Sequence, residues 1–510
     1  MDPIFRRTFL PPDDLGGFLA HLQTRGQVLA IEEPVSTVLE ATEIHRRVIA
    51  TGGPVLRFSR PIKADGRTSD IPLVVNLFGT AARVAAGFGT GPEQLPALGV
   101  FLAGLRQPAP VRGMRDAMGR WPMLRAAFNA RPVIVRTPSA QAHVREGADV
   151  DLGLLPVQTC WPDEPAPLIT WPVVVTRPPD ANEPHDYNLG IYRMQMLGRD
   201  RAIVRWLPRR GGAQHYGAWA ARGEPMPIAV AIGVDPAMLL AAVVPAAEGV
   251  SEYLLAGALR GARTRLAPAR TVPLLVPADA EIVLEGWVAP GEVAPEGPYG
   301  DHTGYYNAVE RYPVMRITAL THREAPLYIS TFTGRAPDEP SVMAAAMTDV
   351  FLPFVRQTLP EVVDCWLPPA ACSYRVAVIS IRKTYPGQAR RIMMGLWSLL
   401  PQFLMTKMVI VVDDDVDTRN WSDVIWALST RMDPARDLTV IADTPMDPLD
   451  FASPAAGLAG KLGIDATVKI GPETAREWGR PLAMSAEVIE RVERRFGHLF
   501  AAGRGAAAAE

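Results

Sequence analysis

The sequence has little of what several function classes require. Only three of its 510 residues are cysteine, Cys160, Cys365 and Cys372, and no two form a CxxC pair. That argues against a disulfide scaffold or a thiolate zinc site and predicts ordinary buried thiols in a reducing compartment. The eight histidines form neither HxH nor HExxH, which sets aside the common zinc hydrolases. No apolar run approaches the roughly 18 residues that a membrane span needs. The start, MDPIFRRTFLPPDD, lacks the apolar core of a signal peptide. A soluble, cytoplasmic protein is the expectation. Neither charge sign dominates: 52 Lys and Arg stand against 54 Asp and Glu, for a net charge of -2. Nothing basic therefore invites nucleic acid. What is present is globular, 48% hydrophobic and 21% charged, over a length that suits two or three domains.

The pattern along the chain predicts an α/β fold class, more closely α+β and multidomain. In residues 1–130, Asp14 caps a helix carrying Leu15, Phe18, Leu19 and Leu22. Ser36 or Thr37 caps a second helix. Val28 to Ile31, Val55 to Phe58 and Ile71 to Phe78 read as strands. Residues 131–335 are richer in strands: Ile169 to Thr176, Asn188 to Leu197, Ala202 to Leu207, Met226 to Val234, Glu281 to Val288 and Val314 to Thr321. Gly198-Arg199-Asp200 reads as a hairpin turn, and the set suggests an antiparallel barrel or sandwich. In residues 336–490, short apolar runs at Tyr374 to Ile381, Lys407 to Asp413 and Asp437 to Ala442 alternate with helices, pointing to a parallel sheet. Residues 491–510 end an amphipathic helix, Glu487 to Phe500, and add a tail.

One stretch stands out, PEGPYGDHTGYY from Pro295 to Tyr306. Its Gly and Pro bar a regular helix or a central strand, so Glu296 and Asp301 are offered on a shaped loop. Such a pair suits acid–base work where surroundings push its pKa values apart; the plain alternative is a turn with two solvated acids. A second group is NLGIYR (Asn188 to Arg193), RWL (Arg205 to Leu207) and RRGG (Arg209 to Gly212). Arginine forks beside glycine suit a phosphate, while exposed hairpin arginines would look the same. Asp413, Asp414 and Asp415 are either a metal or ribose site or a solvated strand end. Glu252 can simply complement a helix dipole. Met393, Met394 and Trp397 are a substrate wall or, more simply, core.

Together these pieces resemble the UbiD family of decarboxylases. The likeness adds SEYLLAG (Ser251 to Gly257), LEG (Leu284 to Gly286), TCWPDEPAPLITW (Thr159 to Trp171) and TFTGRAPDEP (Thr331 to Pro340) in matching order. RRIMMGLWS (Arg390 to Ser398), TRMDPARD (Thr430 to Asp437), DFASP (Asp450 to Pro454) and REWGRP (Arg476 to Pro481) continue it. The resemblance is nearest the ubiquinone-pathway branch, which decarboxylates 4-hydroxy-3-polyprenylbenzoate. It implies a split β-barrel over residues 131–335 that binds prenylated FMN with manganese(II) and often potassium. It implies Arg193, Glu296 and Asp301 as the catalytic set. Ile191, Tyr192, Arg193, Arg205, Trp206, Leu207, Arg210 and Gly211 would contact the cofactor, and Asn188 and Glu252 the metal. Many relatives carry a histidine ligand where this chain has Arg209, and a guanidinium cannot ligate a metal. Water, a phosphate oxygen or a remote group such as His215 would then complete the shell. The resemblance further implies an aromatic carboxylic acid substrate and a flavin prenyltransferase as cofactor supplier. It implies a homo-oligomer, hexameric in the ubiquinone branch, and a greasy substrate that invites peripheral membrane contact.

Chemistry supports the same roles. Loss of carbon dioxide from an aromatic acid leaves electrons that no side chain can store, so a cofactor must serve as the sink. Arg193 would orient the carboxylate, Glu296 hold Arg193, and Asp301 protonate the ring carbon. For that, burial and Glu296 are expected to raise the Asp301 pKa. His302 is expected to be a structural hydrogen-bond partner.

Overall fold

The computed structural model describes residues 5–106, 121–208, 210–243, 251–399 and 403–501. Helix Leu15–Gln23 starts where the sequence predicts: the Asp14 carboxylate accepts the Gly17 N–H at 2.7 Å, and Leu15, Phe18, Leu19 and Leu22 turn inward. The second helix departs from expectation. It spans Glu40–Ala50 and has no side-chain cap. Ser36 is committed to a parallel pair, Val35–Ser36 with Pro61–Ile62, and the Thr37 N–H bonds the Ile62 carbonyl at 2.8 Å. Pairing holds this segment until Leu39, at φ 66, turns the chain into the helix. Strands Val28–Ile31, Val55–Phe58 and Leu73–Val75 form a sheet with a late arrival, Tyr328–Ile329, which runs parallel to Leu73–Val75.

The central sheet has nine strands, paired antiparallel. Its spine is a pair of long strands, Ile282–Glu296 and Glu310–His322, which extend well past the segments predicted for them. The pair shifts register at Glu285/Gly286 and again between Val288 and Val293. Such irregularities add twist and let a long ribbon curl into a half-barrel. Helix Gly211–Ala221 packs against this sheet, and helices Pro236–Ala241 and Glu252–Arg260 follow.

The C-terminal sheet has five strands in the order Val362–Trp366, Val376–Ile381, Met408–Asp413, Leu458–Ala466, Leu438–Pro445. The middle three are parallel; Val376–Ile381 and Met408–Asp413 pair as expected, but Leu438–Pro445, expected in the parallel set, is an antiparallel edge. The strand beside it, Leu458–Ala466, escaped the sequence reading because glycines and a lysine interrupt its apolar run. Helix Ala486–Ala501 carries exposed Ile489, Phe496, Leu499 and Phe500. No helix among the described residues is long and apolar enough to cross a membrane.

Two large cores hold this together. One runs continuously from Leu15 through the central sheet to Val350, so the N-terminal segment and the half-barrel share an interior. The other gathers Leu352 to Val411 on one face of the C-terminal sheet. Helix Glu339–Thr358 contributes to both. Each fully buried Phe, Tyr or Leu in these cores contributes about 1.5–3 kcal/mol.

Candidate active site

Two segments read as unbroken strands are each split. Leu168–Ile169 is separated from Val173–Thr176, and Asn188–Ile191 from Met194–Met196. Asn188–Ile191 pairs with Val173–Thr176, whereas Met194–Met196 pairs with Leu168–Ile169 and Arg201–Val204. These pairs lie toward opposite ends of the sheet. Tyr192 and Arg193 sit at the crossing between them. Arg193 thus leaves the ladder at the place where the half-barrel turns.

Its guanidinium meets the PEGPYGDHTGYY loop. Nε donates to Glu296 Oε1 at 2.9 Å, Nη1 to Asp301 Oδ2 at 2.9 Å, and Nη2 to Glu296 Oε2 at 3.3 Å and Asn307 Oδ1 at 2.9 Å. Glu296 ends the long strand and is fully buried. The loop then folds back, with Gly300 bridged to Tyr306 and the Asp301 N–H bonded to the Tyr305 carbonyl at 3.1 Å. Arg205 stands behind, 3.8 Å from Glu296 and 3.9 Å from Asp301. The structure therefore brings Arg193, Glu296 and Asp301 into one contact group. Asn307 was missed by sequence reasoning. Its carbonyl accepts from Arg193 and from the Tyr299 N–H at 2.7 Å, while its amide reaches Glu296 at 3.3 Å. The only signal was its place directly after the loop.

The electrostatics correct one expectation. Burial does push the Asp301 carboxyl up, but the His302 hydrogen bond and then the charge of Arg193, with help from Arg205, more than reverse it. Asp301 is held well below the usual carboxylate range rather than above it. Burial likewise works against the Arg193 cation, and Asp301 and Glu296 outweigh it, so the guanidinium is held above its ordinary value. Glu164, whose carboxylate accepts the Cys160 N–H at 2.6 Å and the Gly300 N–H at 3.4 Å, is pushed up by burial.

A cradle adjoins this group. Helix Gly211–Ala221 begins after Arg210 with no side-chain cap, leaving first-turn N–H groups for an anion. A Cβ on Gly211 would lie 1.9 Å from Asn188 Oδ1, and one on Gly212 2.6 Å from Trp206 Nε1. Tyr192 closes the side, its hydroxyl accepting from Gly212 N–H at 3.3 Å and Asn188 Nδ2 at 3.4 Å. Trp206 Nε1 and Arg205 Nε are buried without a hydrogen-bond partner among the described residues. Two unmet donors among the described residues, and two glycines whose Cβ atoms would crowd Asn188 and Trp206, fit a bulky phosphate-bearing group. Ile191 is half-buried at the strand end, Leu207 is half-buried, and Arg210 is exposed at the helix start. Arg209 lies outside the described residues.

The Glu252 carboxylate accepts the Leu189 N–H at 2.7 Å, which puts it beside Asn188. Burial pushes it up to about 7, with no cation among the described residues to offset it. That fits a metal ion held with Asn188. Among the described residues, however, no three His, Cys, Asp or Glu are arranged to hold a metal. His215 bonds Thr176, the strand partner of Asn188, at 3.0 Å. Burial lowers its pKa to about 4.

Other candidates resolve plainly. Asp413 and Asp415 both bond Arg431, at 2.7 Å and 2.6 Å, so the acidic run is an ion-paired strand end. Met393 and Trp397 are core residues, and Met394 is exposed. A cavity of about 830 Å³ beside Arg57, His143, Arg145 and His322 contains none of the site residues.

Three family models match: the 3-octaprenyl-4-hydroxybenzoate carboxy-lyase N-terminal domain over residues 19–99, its Rift-related domain over 133–336 and its C-terminal domain over 341–466. The chain is similar to the UbiD-class enzyme HmfF from Pelotomaculum thermopropionicum, solved in complex with FMN, at 30% identity and a TM-score of 0.76, covering 92% of this chain and 97% of that one. An evolved dimeric form of the same enzyme, solved with prenylated FMN, matches at 30% identity and a TM-score of 0.73 over 92% and 97% of the two chains. Vanillic acid decarboxylase from Sedimentibacter hydroxybenzoicus, in its closed form, matches at 26% identity and a TM-score of 0.81, covering 96% and 99%. With all three models matched in order and a 30% identical relative spanning nearly its whole length, this chain belongs to the UbiD family of carboxy-lyases.

Proposed function

We propose that this chain decarboxylates 4-hydroxy-3-polyprenylbenzoate to 2-polyprenylphenol in ubiquinone synthesis, using prenylated FMN. The carrying observation is the Arg193–Glu296–Asp301 contact group standing beside the Gly211 cradle. Tyr192, Arg205, Trp206, Gly211 and Gly212 would hold the cofactor. Asn188 and Glu252 would hold a manganese ion against its phosphate, with potassium nearby. When bound, the cofactor would supply the electron sink that no side chain offers. Arg193 turns its fork to the substrate carboxylate and fixes its plane. Glu296 keeps two bonds on Arg193 and so preserves its aim. As Arg193 turns, Asp301 loses its strongest bonded cation, its affinity for a proton rises, and it protonates the ring carbon that lost carbon dioxide.

The polyprenyl tail is supported by the rim of the site. Tyr305 and Phe451 are exposed and meet edge to face at 6.3 Å, and Val309 is exposed nearby in sequence. Vanillic acid decarboxylase favours a second reading, a small aromatic acid without a tail. The apolar side chains exposed on Ala486–Ala501 support a homo-oligomer, hexameric in this reading. A greasy substrate supports peripheral contact with the inner face of the cell membrane. A flavin prenyltransferase would supply the cofactor.

The test is co-expression with a flavin prenyltransferase, then mass, absorbance and elemental analysis of what the protein releases. Prenylated FMN with manganese, and turnover that rises with tail length across a substrate panel, is the expected result. Turnover confined to tail-less acids would move the substrate to the second reading. Folded protein with neither flavin nor metal would overturn both. Asp301→Asn should stay folded and lose at least about 100-fold in rate, the scale of a lost acid.

A further inference from the structure

We propose that His302 is the residue through which a proton reaches Asp301, and that Asp447 of the C-terminal unit holds His302 in place for it. The proposal rests on the role given to Asp301 above.

The two oxygens of Asp301 have divided loyalties. Oδ2 is taken by Arg193. Oδ1 faces His302 alone, accepting its backbone N–H at 2.8 Å and its ring Nδ1–H at 2.7 Å. Two contacts from one residue fix both the position of the imidazole and the oxygen it serves. The far nitrogen, Nε2, is buried and has no hydrogen-bond partner among the described residues. It lies 3.7 Å from Asp447 Oδ2, close enough for charge and too far for a bond. Asp447 is itself fixed: the Tyr374 hydroxyl donates to it at 2.9 Å, Arg375 at 3.4 Å and the Leu449 N–H at 3.0 Å. The Tyr374 ring packs against the imidazole at 6.1 Å. The third carboxylate to feel His302 is Asp338, which caps helix Glu339–Thr358. The cations Arg193 and Arg205 lie beyond Asp301. A histidine with one nitrogen on the acid, the other unmet, and three carboxylates around it is arranged to pass a proton rather than to fill space.

The step balances. The Nδ1 proton moves to Asp301 Oδ1 as the carboxyl group leaves the substrate as carbon dioxide. Asp301 delivers a proton to the ring carbon, and the electron pair of the broken C–C bond ends in the new C–H bond. A proton from solvent enters the imidazole at Nε2 as the Nδ1 proton leaves, so the ring stays neutral, and exchange with water afterwards returns the proton to Nδ1. One proton is consumed for each carbon dioxide released. The histidine also ties the acid to the C-terminal sheet, because Tyr374, Arg375 and Asp447 belong to that half of the chain.

The test compares His302→Asn, Asp447→Asn, their double variant and Asp301→Asn in flavin-loaded enzyme, with flavin occupancy confirming each site. Asn can still donate to Asp301 but cannot relay a proton. His302→Asn should lower kcat about 100-fold with KM within about threefold, since proton transfer is lost and binding is not. Asp447→Asn should lower kcat about tenfold, and add nothing in the His302→Asn background because the two act as one unit. His302→Asn at the wild-type rate, beside an inactive Asp301→Asn, overturns the proposal and leaves the proposed function standing. Additive losses in the double variant overturn the part given to Asp447. Folded, flavin-loaded wild type that turns over no aromatic acid overturns the proposed function and this proposal together.

Discussion

Replacing Arg193 with leucine should destabilise the protein by an amount that depends on pH. Arg193 makes four hydrogen bonds, to both oxygens of Glu296, to Asp301 and to Asn307, and its side chain is only 14% exposed. Leucine fills the space but leaves two acids buried and facing each other. Breaking such a pair costs about 3–5 kcal/mol. Arg205, at 3.8 Å and 3.9 Å, recovers part of this, so about 3 kcal/mol near neutral pH is expected. In the wild type Asp301 is held below its unfolded value, so its contribution is fully present above an unfolded pKa of about 4 and is lost only as pH falls toward the folded value. In the variant burial meets less opposition and Asp301 moves up. A raised carboxyl contributes below its unfolded pKa and costs stability as pH rises through the folded one. The gap between the proteins should therefore widen between about pH 5 and pH 7.5, by about 1.4 kcal/mol for each unit of upward shift. Urea unfolding followed by tryptophan fluorescence at both pH values measures it. A gap that is equal at the two, or below about 1 kcal/mol at the higher, would refute the reasoning.

Two glycines offer independent checks. Gly211→Ala places a Cβ 1.9 Å from the end of the Asn188 side chain, which can swing away. The fold should survive within about 1 kcal/mol, while flavin and metal occupancy, read by absorbance and elemental analysis, should fall sharply. Gly286→Ala meets the Arg316 backbone carbonyl at 2.0 Å, at a register shift of the long strand pair. Backbone cannot yield, so a loss of at least about 2 kcal/mol is expected in the same unfolding assay, and an unchanged midpoint would contradict the register.

Much of the fold was legible because apolar runs set element type. The Asp14 cap, the Val55–Phe58 strand and the parallel middle of the C-terminal sheet follow from local pattern. The rest depended on partners far away in sequence. Ser36 and Thr37 carry good capping side chains, yet pairing with Pro61–Ile62 takes their backbone first. The breaks at Tyr192 and Trp171 leave no mark in hydropathy, because both halves of each strand are apolar. At the site, the resemblance picked out Arg193, Glu296 and Asp301, and the structure places them in contact. It did not disclose the state of Asp301. That depends on His302 and Arg193, helped by Arg205, acting together against burial, a balance that spacing along a chain cannot express. Asn307 was invisible for a related reason: its use comes from being donor and acceptor at once, at one place in space.

The edge strand Tyr328–Ile329 shapes how the chain must be made. The sheet that leaves the ribosome first cannot finish its edge until nearly the whole half-barrel has been synthesised, because Leu73–Val75 waits for it. Until then an apolar strand offers unpaired backbone to any passing chain. A polypeptide ending near residue 130 would keep that exposed edge and half of a shared interior. The nascent N-terminal third thus carries an open apolar edge, and the loop with Glu296 and Asp301, coming just before the closing strand, is made before its foundation is complete.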